Sequence, residues 1–151
     1  MLKNLILKEL KLLKTNILLS IVVGILFAYV GAVKTVGFVS QIIYIYIVVF
    51  LVYLGLMFMS YKESKAKSDI IFNSMPTKRA EIVKSKYLTV LLYLLMIVSI
   101  IYLGSNVFAI FIDSGLGEAV KIVNILLVLG ISLFFISIYL PFEFYNIGKV
   151  Q

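Results

Sequence analysis

Four runs free of Asp, Glu, Lys and Arg, at residues 17–33, 41–61, 87–112 and 122–140, occupy most of this 151-residue chain. Their lengths of 17, 21, 26 and 19 residues bracket the roughly 20 apolar residues with which an α-helix crosses a bilayer. Hydrocarbon offers no water to satisfy backbone amides, so a run of this length must pair them within itself as a helix. Hydrophobic residues make up 63% of the chain, against about 45–50% in soluble domains, and mean hydropathy is +1.14. The expected fold class is therefore an all-α integral membrane protein with four transmembrane helices.

The charges lie between these runs, and their distribution orients the chain. Lys and Arg number four before the first run, seven in residues 62–86 and one after Pro141, against one in each of the short connections 34–40 and 113–121. Short basic segments stay in the cytoplasm, so both termini and the 62–86 loop are expected there, in a multi-pass protein of the cell membrane. The net charge of +7 then describes the flanks of the spans, where lysines orient helices and meet anionic headgroups of the lipid bilayer. No nucleic-acid partner is expected from this pattern.

Composition also excludes several chemistries. The chain has no Cys and no His, which removes disulfides, thiolate nucleophiles, the usual zinc and haem sites and the common catalytic triads. Gly148-Lys149 lacks the earlier glycine and the following hydroxyl of a phosphate-binding loop. The chain is thus not expected to be an enzyme or to carry a cofactor. None of the four runs contains an ionisable acid or base of the kind that proton-driven carriers use as a relay.

Residues 1–16 read as an amphipathic helix lying in the membrane interface. At 100° per residue, Lys3, Lys8, Lys11 and Lys14 share one face, and Leu2, Leu5, Ile6, Leu10, Leu12 and Leu13 the other. Glu9 falls inside the apolar arc, where a carboxylate is costly unless partnered. It either snorkels or pairs locally with a lysine one turn away, or it meets a basic group of the cytoplasmic loop. In the first span, Gly24, Ala28 and Ala32 recur every fourth residue, a stripe of small side chains that lets another helix approach. With further spans following, this run reads as retained rather than cleaved. Asn106, the strongly polar residue well inside the third span, is expected to bond across to another helix. Pro141 is expected to close the fourth span.

The 62–86 loop is the long polar segment of the chain. Within it Pro76 forces Met75 out of helical geometry, and Thr77 is placed to cap a short helix starting at Lys78. Mixed charges at Lys78, Arg79 and Glu81 make that element a candidate docking surface.

The stretch from Asn73 to Tyr87, Asn-Ser-Met-Pro-Thr-Lys-Arg-Ala-Glu-Ile-Val-Lys-Ser-Lys-Tyr, resembles the cytoplasmic loop of the permease subunits of type-2 ABC exporters of Gram-positive bacteria. There a Ser-Leu-Pro turn precedes a basic residue, an Ile-Val pair and a Lys-Tyr leading into the third span; Met75 stands here in place of the leucine. Lys8-Glu9-Leu10 resembles the family's interfacial helix. Pro141-Phe142-Glu143-Phe144-Tyr145-Asn146-Ile147-Gly148 resembles its lead into a fifth span. Such permeases generally carry six spans, so the resemblance implies a subunit lacking its last two. It also implies export, with amphipathic or antimicrobial peptides or other toxic compounds as substrate classes. A separate ATPase subunit would dock on Met75, Pro76, Thr77, Lys78, Arg79 and Glu81, and a second permease subunit would complete a homo- or heterodimer. A basic four-span protein without intramembrane charge also fits a different class, an accessory or immunity protein that has no ATPase partner and binds a toxin to shield the membrane.

Overall fold

The computed structural model describes the backbone of residues 2–65, 79–112 and 118–149, and the side chains of 5–62, 81–112 and 118–142. Among the described residues the fold comprises four α-helices, α1 (Leu2–Tyr29), α2 (Gly37–Lys65), α3 (Arg79–Phe111) and α4 (Ile122–Lys149), with a π-helical turn at Val30–Lys34 after α1. Each contains a segment long and apolar enough to cross a membrane: Leu5–Lys34, Gly37–Lys62, Glu81–Phe111 and Ile122–Phe142. Up-and-down connectivity gives the bundle a loop end, where α1 begins and the 62–86 connection lies, and a turn end with the two short connections.

α1 is one unbroken helix, so the segment expected to lie in the interface runs directly into the first span. No glycine or proline between Lys3 and Val23 interrupts it. Leu5, Glu9, Leu13, Asn16, Ser20, Gly24 and Ala28 are all buried, and their spacing of three or four residues puts them on one helix face. A matching stripe on α3, Ser85, Thr89, Tyr93, Ile97, Ile101 and Ser105, is buried at a strict spacing of four. Both helices start at the loop end, so they pack parallel, and they hold one register along their length. Glu9 lies at Ser85 and Asn16 and Ser20 at Tyr93. Gly24 lies at Ile100, and Ala28 at Gly104.

Small side chains permit this approach, because packing rather than water exclusion holds helices together in lipid. A Cβ added at Gly24 would sit 3.4 Å from Ile100, and one at Gly104 only 3.1 Å from Ala28. α2 contributes Tyr44, Ile47, Val48, Leu51, Val52, Leu56 and Met59 to the core, against Val90, Tyr93, Leu94 and Ile97 of α3. Its Gly55 faces the Tyr93 ring, where any Cβ would lie 2.3 Å from Cε1.

Among these four helices α4 is the least covered. Only 17% of its apolar window is buried, against 44% in α2. It meets α2 through an edge-on contact of Phe135 with Tyr53, centroids 6.0 Å apart, and a 3.2 Å hydrogen bond between the Tyr139 and Ser60 hydroxyls. Contrary to expectation, α4 passes through Pro141 and runs to Lys149. Proline removes one N–H from the ladder, but ending the helix would free several amides near hydrocarbon, which costs more. Asn106 also departs from expectation: its Nδ2 donates 2.8 Å to the Tyr102 carbonyl of its own helix. The carbonyl four residues back is within reach of a short amide side chain and needs no partner helix.

Candidate functional site

α2 runs to Lys65 and α3 runs unbroken from Arg79 into the third span, so the margins of the expected 62–86 loop are helical rather than loop, and both are fastened to α1 at the loop end. From α2, Lys62 Nζ donates to the Leu12 carbonyl. From α3, the Ser85 hydroxyl shares its proton between Glu9 Oε1 at 3.1 Å and the Ile82 carbonyl at 2.8 Å. Glu9 and Lys86 are each only 2% exposed. A carboxylate at such depth is tolerated only where polar groups meet it, and α3 supplies one. The first three turns of α1 are therefore held by the two helices that flank the loop.

Some two turns further in, a second tie joins three helices. Tyr93 donates its hydroxyl proton to the Leu51 carbonyl of α2 at 3.2 Å. It accepts from Asn16 Nδ2 at 3.0 Å. Because a phenol has a single proton, the 2.6 Å contact with Ser20 has the serine as donor. Gly55 provides the room for the ring.

The turn end is closed by Gln41 of α2. Its Nε2 donates to the Ala119 carbonyl at 3.0 Å, and its Oε1 accepts from the Lys121 amide at 3.3 Å and Asn124 Nδ2 at 2.6 Å. Tyr44 donates to the Glu118 carbonyl at 3.2 Å, and the Val120 amide donates to Ser105 at 3.3 Å. These bonds satisfy the segment that leads into α4, whose amides would otherwise be stranded near the membrane.

Of the residues singled out from sequence, Met75, Pro76, Thr77 and Lys78 lie outside the described residues. Arg79 opens α3, its side chain also outside them. Glu81 is half-buried in the first turn of α3, with Oε2 buried and without a hydrogen-bond partner. Glu9 lies against α3 instead of in lipid. Gly24, Ala28 and Ala32 are all buried. Sequence reasoning passed over Asn16, Ser20, Ser85, Tyr93 and Gln41. For the first two a signal was present, since they extend the Gly24-Ala28 stripe backwards at the same spacing of four.

Among the described residues no three acidic side chains gather as metal ligands would, and the ties join helix to helix. The arrangement is mechanical: displacing either margin of the loop pulls on α1. No curated protein and no solved structure matches the chain. The family described as ABC-2 family transporter protein matches it over residues 4–149, nearly its whole length. Members of that family are membrane components of transporters, not themselves catalytic, and work with a partner ATPase. With four membrane-capable helices and this match, the chain belongs to the ABC-2 transporter family as a membrane-embedded permease component.

Proposed function

We propose that the chain is the membrane-spanning subunit of an ATP-driven exporter of peptides or other amphipathic toxic compounds. A separate ATPase docks on its 62–86 connection from the cytoplasm, where both termini also lie. The observation that carries this reading is the fastening of both loop margins to α1, through Lys62 to the Leu12 carbonyl and Ser85 to Glu9. A push on the loop by a partner is thereby delivered to the α1–α3 contact, which runs the length of the bundle. Lys78, Arg79 and Glu81 supply the mixed charge for docking. A second permease subunit, identical or not, completes the pathway.

The test is purification in mild detergent with identification of bound subunits. A charge pair at a partly desolvated contact contributes about 1.5 kcal/mol or more, so Arg79→Glu is expected to reduce copurification of the ATPase about tenfold. Lys65→Glu removes the same charge from the same loop and is expected to change little. Equal losses in both variants reduce the loop to a determinant of orientation. If the unmodified chain recovers no ATPase, the accessory-protein reading replaces export.

A further inference from the structure

We propose that the outward face of α1 at the loop end binds an anionic phospholipid from the adjoining leaflet. The two faces of this helix are chemically opposite. Its acid, Glu9, is turned inward and buried, while Lys11, Lys14 and Thr15 are exposed on the outer side. Lys8 joins them there, lining a surface groove with Leu7, Lys11 and Leu12. Among the described residues Lys11 and Lys14 make no hydrogen bond or ion pair. Among the described basic groups near this level, Lys62 is spent on the Leu12 carbonyl and Lys86 is buried, while Lys84 is exposed on another helix, α3.

Above the lysines the same face turns apolar. Leu18 and Val22 are 59% and 52% exposed, and at about 100° per residue they continue the line of Lys11 and Thr15. A rise of about 1.5 Å per residue sets Leu18 roughly 10 Å deeper than Lys11. That is the layout of a phospholipid standing beside the helix: phosphate against Lys11 and Lys14, glycerol level with Thr15, acyl chain along Leu18 and Val22. The lysines supply positive charge to an anion and Leu18 with Val22 supplies contact to its tail, so the complementary ligand is an anionic amphiphile rather than a free anion. This inference requires only that the chain sits in the membrane, and it holds whether or not an ATPase docks.

The experiment is native mass spectrometry of the full chain released from detergent, with added phosphatidylglycerol or phosphatidylcholine of identical acyl chains. Phosphatidylglycerol is expected to be retained in preference to phosphatidylcholine. Lys11→Ala with Lys14→Ala is expected to lower its retention about tenfold, each basic residue near an anionic surface contributing a several-fold factor. Lys84→Ala, an exposed lysine on α3, is expected to leave retention unchanged, and Lys11→Arg with Lys14→Arg to preserve it. Circular dichroism checks that each variant keeps its helices. Equal retention of the two lipids, or equal retention by the double alanine variant and the unmodified chain, overturns the proposal. So does displacement of phosphatidylglycerol by equimolar inorganic phosphate, which assigns the site to a free anion.

Discussion

α1 and α4 are helices of equal length, 28 residues each, and both are apolar enough to span a membrane, yet they are held very differently. α1 presents a stripe of small and polar side chains, Glu9, Asn16, Ser20, Gly24 and Ala28, and every one of them is buried. α4 packs through Val128, Ser132, Ile136 and Leu140 and leaves Ile122, Val123, Leu126, Leu127, Ile131 and Phe134 exposed. In water the second set would be the stronger glue. In lipid the ranking inverts, because a leucine gains little by exchanging an acyl chain for another leucine, whereas small residues allow close backbone contact and polar groups find partners only in protein. Of these two helices, the one with less hydrophobic bulk on its packing face is the one built into the bundle.

Substitutions that spoil close approach should therefore have the largest effect. Gly55→Leu puts carbon where Tyr93 Cε1 already stands, a Cβ separation of 2.3 Å. The ring cannot swing aside without giving up Asn16, Ser20 and the Leu51 carbonyl together. A loss of about 3 kcal/mol is expected, read as a lowered midpoint in denaturing-detergent titration. Tyr93→Phe keeps the ring and removes only the hydroxyl, stranding those three groups. Hydrogen bonds in membrane bundles average about 0.6 kcal/mol, with maxima near 1.7, so about 1–2 kcal/mol is expected in the same titration. Should Tyr93→Phe prove neutral, close packing alone accounts for the hold on α1.

Gln41→Leu probes the other side of the comparison, since Gln41 is the principal polar link to the start of α4. Bonds at the membrane surface have water as a substitute, so about 1 kcal/mol is expected. The informative readout is local: faster hydrogen exchange at the Lys121 amide, which Gln41 Oε1 now accepts, with the α3 core amides unchanged. Equal acceleration in both places would mean that α4 is cooperative with the rest.

The four helices were legible from sequence because charge-free length is a one-dimensional property. The side each helix turns inward was less so. A face of lysines opposite a face of leucines describes residues 2–14 equally well as a helix lying in the interface or as one packing its leucines on a bundle. What separates the two is Glu9, whose burial demands a partner on another helix, and Ser85, 76 residues away, is that partner. Tyr93 was illegible for the same reason: one tyrosine among many, it is distinguished only by standing opposite Asn16, Ser20 and Gly55. Pro141 misled because the rule that proline ends a helix assumes water is waiting to take the freed carbonyl.

The smallest effect is also the most discriminating. Leu126 is 65% exposed on the outer face of α4, and Val128, two residues on, is 4% exposed against Tyr44, Val48 and Ile101. Val128→Ala leaves a gap that the surrounding side chains fill only in part, at about 1 kcal/mol. Leu126→Ala leaves no gap, because acyl chains or detergent flow into the space, and a change under about 0.5 kcal/mol is expected. The larger residue thus costs less to truncate, an order that follows from lipid and not protein lying against the outer face. If Leu126→Ala instead matches or exceeds Val128→Ala, and its cost grows with protein concentration, that face is covered by a second copy of the chain. The contrast between α1 and α4 would then hold only for the single chain, with α4 finding its packing partner between subunits.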